Sequence, residues 1–223
     1  MMTHWRTLGT VCLLLLAFVS EARAEIVDRI LAVVGDRVLT WSAVRAEASY
    51  DAFLSGQPPP PQDLTELDGR ANLRDVLSRM VDQALLEQER QLYSFQPPGN
   101  GETERRLQEI QNRFSDLESY QGALMRYGLK ESQLSERLQR ESDLMAFIQM
   151  RLRTQVQLDP GQVESYYKDV LVPELSRQGQ SEIPALEQVR DQIEQLLIQQ
   201  EVDRLLEQWI RQLRSRAKIK MFL

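Results

Sequence analysis

Histidine and cysteine are almost missing from this chain. Its 223 residues include one histidine, His4, and one cysteine, Cys12, and both lie within the first 24 residues. If those residues are cleaved off, as we predict below, the remaining chain has no disulfide, no thiolate nucleophile and no Ser–His pair. It also has no histidine or cysteine ligand for a metal. Chemistry based on carboxylates, lysine or tyrosine is not excluded on this ground.

Glycine is scarce as well, and the basic residues form no run. The chain has 10 glycines, no glycine-rich phosphate-binding loop and a formal net charge of −6. Its lysines and arginines are dispersed, which is not typical of a nucleic-acid binder. No segment after residue 24 is apolar enough to cross a bilayer. We therefore expect no catalytic residues, no metal, no other cofactor, no nucleic acid and no stable membrane insertion.

The N-terminus has the pattern of an export signal. Arg6 precedes an apolar run over residues 8–19, which is too short to span a bilayer as a helix. The run leads to Ala22-Arg23-Ala24, the small-x-small pattern of a signal peptidase site. We expect residues 1–24 to be a cleavable signal peptide and the mature protein to begin at Glu25 in the periplasm. An uncleaved anchor is the alternative.

Local patterns predict a mainly helical fold. Two β-prone runs flank Gly35-Asp36 and predict a hairpin over residues 29–40. We expect Ser42 and Asp159 to be helix N-caps, Ser115 to open a capping box with Glu118, and Gly128 to end a helix. Apolar spacing predicts helices around residues 42–54, 70–95, 107–114, 115–128, 132–156, 160–172 and 184–217.

The end of the chain is predicted to return to its beginning. Residues 173–184 are a short polar joint, and residues 219–222 form a short strand that can pair with the hairpin. The expected fold class is mainly α, with a small N-terminal β-hairpin joined by a C-terminal strand. In the predicted helix over residues 132–156, Met145 lies in the same apolar stripe as Leu138 and Ile148.

Five segments, taken in order, resemble the chaperone domain of SurA-type periplasmic proteins. They are ILAVVGDRVLT at 30–40, VLSRMVDQALL at 76–86, residues 120–128, VESYY at 163–167 and residues 184–222. The resemblance implies that residues 25–223 form one SurA-like domain. In that domain residues 25–172 are the N-terminal helical part, and residues 184–223 complete it with a helix and a strand.

The family usually inserts parvulin prolyl isomerase domains before the C-terminal helix. Here about sixteen residues separate Lys168 from Pro184, so no such domain fits, and the resemblance implies no isomerase activity. It implies instead an ATP-independent holdase for unfolded or partly folded exported proteins, in particular outer-membrane β-barrel precursors. The alternative is a structural or assembly subunit that packs through the long C-terminal helix. An enzyme is a more remote third hypothesis.

Apolar side chains beside turns are the candidate client-binding residues. They lie at the hairpin–helix junction, at the end of the first long helix and near the turn at Gly128. Methionine in particular adapts to varied partners. For each of these residues, packing in the core is the alternative. The candidates are Trp41, Tyr50, Phe53, Leu54, Met125 and Tyr127.

Overall fold

A computed structural model of the chain describes residues 28–60, 70–97, 99, 101–179 and 182–222. The predicted signal peptide, residues 1–24, lies outside the described residues, so its cleavage stays a prediction. The mainly helical fold class is confirmed. Among the described residues, no helix is both long enough and apolar enough to span a membrane.

The predicted hairpin is confirmed, and the chain end pairs with it. Strands β1 (Ile30–Val34) and β2 (Arg37–Thr40) flank the turn at Gly35, whose φ is 59°. Strand β3 (Ile219–Met221) pairs antiparallel with β1, so the sheet order is β2-β1-β3. A β-carbon at Gly35 would be strained by this φ and would also approach Gln88 Nε2 at 3.3 Å, so the turn requires glycine.

Five helices follow the hairpin along the first two thirds of the chain. They are α1 (Trp41–Ser55), α2 (Arg70–Gln91), α3 (Glu102–Gln111), α4 (Leu117–Arg126) and α5 (Glu131–Arg153). Helix α4 ends before Gly128, whose φ is 67°, as predicted.

Two predicted N-caps are wrong by one or two positions. The N-cap of α1 is Thr40, whose side chain accepts a hydrogen bond from Ala43 N–H, and Ser42 instead bonds Asp28. The N-cap of α4 is Asp116 rather than Ser115, because the Asp116 carboxylate accepts the Ser119 N–H at 2.7 Å. A charged acceptor binds a helix N–H more strongly than a hydroxyl does.

The second half of the chain contains a helix that passes a proline. Helix α6 (Pro160–Tyr166), capped by Asp159 as predicted, continues through a π-helical segment (Tyr167–Leu171) into α7 (Val172–Arg177). The polar joint expected from residue 173 is therefore wrong in its first part. Pro173 has no N–H to donate inside this continuous helix, and the helix departs from regular α-helical hydrogen bonding in the π-helical segment just before it. The long helix α8 (Leu186–Arg216) then leads back to the sheet.

Two hydrophobic cores hold these elements together. The sheet core packs β1, α2, the second half of α5 and α8 around Leu77, Phe147 and Trp209. The second cluster, here called the aromatic core, joins the end of α1 to α3, α4 and the first half of α5. Its buried members are Tyr50, Phe53, Ile110, Tyr120, Leu124, Leu134 and Leu138.

Candidate functional site

The six candidate client-binding residues do not form one exposed surface. Tyr50 is 2% exposed and Phe53 is 7% exposed, and both belong to the aromatic core. Leu54 and Tyr127 are half-buried against that core, whereas Trp41 is half-buried against the sheet core. Met125 is 76% exposed. Four of the six therefore pack in or against the aromatic core. For these four, the alternative of core packing agrees with the structure.

Ring contacts explain this convergence. The Phe53 ring stacks on Phe114 with centroids 6.0 Å apart and meets Tyr127 edge-on at 5.5 Å. The Tyr127 hydroxyl donates a hydrogen bond of 2.6 Å to the Gln57 carbonyl, which ties the α4–α5 turn to the end of α1. Aromatic pairs of this geometry add to the stabilisation from burial alone. Phe53 is consequently a packing residue.

An open groove lies beside the aromatic core, between α1 and α5. Its volume is about 460 Å³, and the α4–α5 turn closes one end of it. This size is within the range of ligand clefts in proteins. The lining comprises Ser42, Arg45, Ala46, Ser49 and Tyr50 on α1, Tyr127, Gly128 and Leu129 at the turn, and Gln133, Leu134, Glu136, Arg137 and Arg140 on α5. Two of the predicted residues, Tyr50 and Tyr127, thus line this α1–α5 groove.

Arg137 fixes the relative position of the two walls. Its guanidinium lies 3.9 Å from the centre of the Tyr50 ring and forms a salt bridge with Glu47 on α1. Its Nε is 3.8 Å from Glu141 on α5. Burial lowers the pKa of Arg137 to about 10, so the side chain stays protonated at neutral pH. Because carboxylates on both helices neutralise Arg137, this residue joins the walls and is not available to a ligand.

The other two arginines of the groove are less engaged. Arg140 Nη1 is 3.9 Å from Glu136 in a pair whose side chains are both well exposed. Such pairs contribute little. Arg45 is half-buried and makes no hydrogen bond or ion pair with any residue that the structure describes. The groove therefore offers the unpaired Arg45 guanidinium to a binding partner, and that of Arg140 in exchange for a weak ion pair.

Polar groups without partners lie at the base of the groove. Ser49 is 8% exposed, and no described residue forms a hydrogen bond with its hydroxyl. The Tyr50 hydroxyl is buried without a hydrogen-bond partner in the described part of the chain. Burial raises the pKa of Tyr50, and the negative charge of Glu141 raises it further. An unsatisfied buried hydroxyl costs about 1–3 kcal/mol, so the Tyr50 hydroxyl does not add to the stability of the fold.

Sequence reasoning missed Arg45, Ser49 and Arg137. A signal for the first two was present, because Arg45 and Ser49 are four residues apart and lie on one face of α1. The face of α5 that meets them is set by tertiary packing, which no local pattern reveals.

Methionine forms a second feature of the described surface. Apart from the first two residues of the chain, every methionine except Met80 is exposed. The exposed ones are Met125, Met145, Met150 and Met221, and they lie on α4, α5 and β3. Met145 is therefore not in the apolar stripe that the sequence predicts for it. It is 54% exposed because the buried face of α5 runs through Leu144, Ile148 and Leu152 instead.

Neither a metal site in the described residues nor a comparison with known proteins assigns a function to the chain. In residues 28–60, 70–97, 99, 101–179 and 182–222, no group of three or more His, Cys, Asp or Glu side chains is arranged to hold a metal ion. No model of a known protein family matches the chain, and no curated protein matches it. Membership of the SurA-type family and the absence of catalysis stay predictions.

Proposed function

We propose that this protein is an ATP-independent periplasmic chaperone of the SurA type. It binds unfolded or partly folded exported proteins, with outer-membrane β-barrel precursors as its main clients, and it releases them without chemistry. The ordered resemblance of five segments to that family supports the choice of function. The antiparallel pairing of β3 with β1 is compatible with the expected return of the chain end to the hairpin.

The observation that carries this proposal is the exposure of methionine. Met125 is 76% exposed and Met221 46%, with Met145 and Met150 between them. Methionine is unbranched and polarisable, so it adapts to side chains of different shape and is over-used at surfaces that accept many partners.

The dispersion of the apolar surface suits a holdase. The exposed methionines lie on three elements rather than in one deep pocket, so each contributes a weak contact. Affinity from several weak contacts can be combined with fast dissociation, because each contact breaks separately. A client that must leave in order to fold needs both properties.

An aggregation assay tests the proposal. An unfolded outer-membrane β-barrel protein is diluted out of urea, and its light scattering is followed with and without the mature protein at stoichiometric ratio and without nucleotide. We expect the protein to suppress scattering. Replacing the four exposed methionines with glutamine should remove most of the suppression, because the apolar contact area is lost. Replacing the same four with leucine is the matched control and should retain it.

Circular dichroism of both variants establishes that the fold is kept. If the wild-type protein does not suppress aggregation and instead co-purifies at a fixed ratio with one folded protein, it is an assembly subunit and the proposal is wrong.

A further inference from the structure

We propose that the α1–α5 groove binds an extended client segment through an acidic side chain flanked by apolar residues. This inference rests on the proposed function and gives the holdase a preference among client segments. The occupant is a glutamate or aspartate side chain within an unfolded chain.

Charge is the first argument for this occupant. The protein as a whole has a net charge of −6, yet the groove lining contains three arginines and one carboxylate, that of Glu136. Arg137 is neutralised by Glu47 and Glu141. Arg45 and Arg140 remain, and because Glu136 offsets one of them, the lining keeps a balance of one positive charge. A positive cleft on a negative molecule attracts and orients an acidic group while the rest of the surface repels it.

The second argument is a groove-lining hydroxyl, that of Ser49, without a hydrogen-bond partner among the described residues. Ser49 is more than nine-tenths buried, lines the groove and makes no hydrogen bond with the described residues. It lies one helical turn after Arg45, so its hydroxyl and the Arg45 guanidinium reach the same part of the groove. A carboxylate accepts hydrogen bonds from both a hydroxyl and a guanidinium. One carboxylate therefore satisfies both groups.

The apolar part of the groove explains the flanking residues. Ala46, Leu129 and Leu134 line it together with Tyr127, and its volume of about 460 Å³ exceeds what a carboxylate alone fills. The remaining space suits the apolar side chain that follows or precedes the acid in an extended peptide. A free inorganic anion would leave this space unfilled.

Peptide binding tests the inference. The probes are two fluorescent peptides, acetylated and amidated, that differ only in a central glutamate or glutamine between apolar residues. Fluorescence anisotropy at low salt should show the glutamate peptide binding about three- to tenfold more tightly, the range expected for one partly exposed charge-assisted contact. The double variant Arg45→Gln/Arg140→Gln should abolish this difference. Added salt should reduce it in the wild-type protein, because the two arginines are accessible to solvent.

A matched control separates the groove from net charge. Arg204→Gln/Arg211→Gln changes the charge by the same amount on α8, outside the groove lining, and should retain the preference for glutamate. Thermal unfolding of each variant establishes that it folds. The inference is overturned if the wild-type protein binds both peptides equally, or if the groove variant keeps the difference.

Two further outcomes are informative about the ligand. If an unblocked peptide without glutamate gains the same affinity through its terminal carboxylate, or if millimolar phosphate displaces the glutamate peptide, the proposed occupant is wrong. Aggregation suppression is measured separately on the wild-type protein. If the protein suppresses aggregation but shows no preference for the glutamate peptide, only the proposed role of the groove is wrong. If it prefers the glutamate peptide but does not suppress aggregation, the proposed chaperone function is wrong.

Discussion

The two hydrophobic cores differ in how they are built. The sheet core unites segments from both ends of the described chain, β1 and α8, around mostly aliphatic side chains. The aromatic core takes its buried residues from the shorter stretch between Tyr50 and Leu138, and it contains two tyrosines among seven buried residues. Because it joins distant segments, we expect the sheet core to determine the free energy of global unfolding.

The cores also differ in how completely their polar groups are satisfied. The hydroxyls of Tyr50 and Tyr120, both in the aromatic core, are the buried side-chain atoms of the described residues that lack a hydrogen-bond partner. The α1–α5 groove adjoins this core, with Ser49 and Tyr50 at its base. Local departures from optimal packing concentrate at functional sites. If the groove binds as proposed, stability and binding are assigned to different ends of α5.

The same leucine-to-alanine substitution, made once in each core, should give the largest difference in unfolding behaviour. Leu77 and Leu138 are both 0% exposed, the first in the sheet core and the second in the aromatic core. Leucine-to-alanine substitutions at such positions cost about 2–5 kcal/mol. We expect Leu77→Ala to lower the free energy of global unfolding by that amount in urea titrations. Leu138→Ala should instead lower the protection of amide hydrogens mainly in α3, α4 and the first half of α5.

Hydrogen exchange detected by mass spectrometry measures this distribution. If Leu138→Ala lowers protection in β1 and α8 as much as in α4, the two cores unfold as one unit and the proposed division is wrong.

A smaller effect is expected from the tyrosine hydroxyls. Tyr50→Phe removes a buried hydroxyl that has no partner, so it should leave stability unchanged or raise it by up to about 1 kcal/mol. Tyr127→Phe is the matched control, because its hydroxyl donates to the Gln57 carbonyl at 2.6 Å, and it should lower stability by about 1 kcal/mol. Chemical denaturation measures both changes. Equal losses in the two variants would show that the Tyr50 hydroxyl has a partner, and the contrast between the cores would then weaken.

The smallest effect concerns the N-cap of α4, at the edge of the aromatic core. The Ser119 N–H, and to a lesser degree the Ser119 hydroxyl, hold the pKa of Asp116 below its usual value of 3.8. Because the folded-state pKa is lowered, the stability that Asp116 contributes is present above pH 3.8. It is lost as the pH falls through the lowered value. An NMR titration of the carboxyl carbon should give a midpoint below 3.8.

The variant Ser119→Ala keeps the main-chain donor, so it should retain most of the lowering of the Asp116 pKa. A midpoint at the ordinary value in this variant would assign the effect to the hydroxyl instead.

Much of the fold was predictable because its signals are local. The glycine turn at Gly35, the cap at Asp159 and the β-prone residues after α8 each determine the backbone around them. The errors at Thr40 and Asp116 arose where two nearby residues could both cap a helix. The stronger carboxylate acceptor caps α4, and the hydrogen bonds between Ser42 and Asp28 leave Thr40 to cap α1. Pro173 was misjudged because the preceding π-helical turn, which changes the hydrogen-bonding register, has no sequence signature of its own.

The groove was less predictable than the fold. Tyr50 and Tyr127 were selected as apolar residues near a turn, and both line it, but their burial depends on α5 packing across α1. The exposure of Met145 depends equally on which face of α5 meets the sheet core. Such choices between faces of one helix are decided by contacts between distant segments, so the sequence of the helix alone does not contain them.

The pairing of β3 with β1 has a consequence for the order of events during synthesis. Phe222 N–H donates to the Leu31 carbonyl at 2.9 Å, so the last described residue completes a sheet that begins near the first. A nascent chain that has reached the middle of α8 still lacks the strand that closes the sheet. The pairing that closes the sheet at the β1 edge therefore cannot form until strand β3 has been synthesised. A chain truncated before Ile219 is left with an unpaired β1 edge, and such an edge is a template for pairing with other chains.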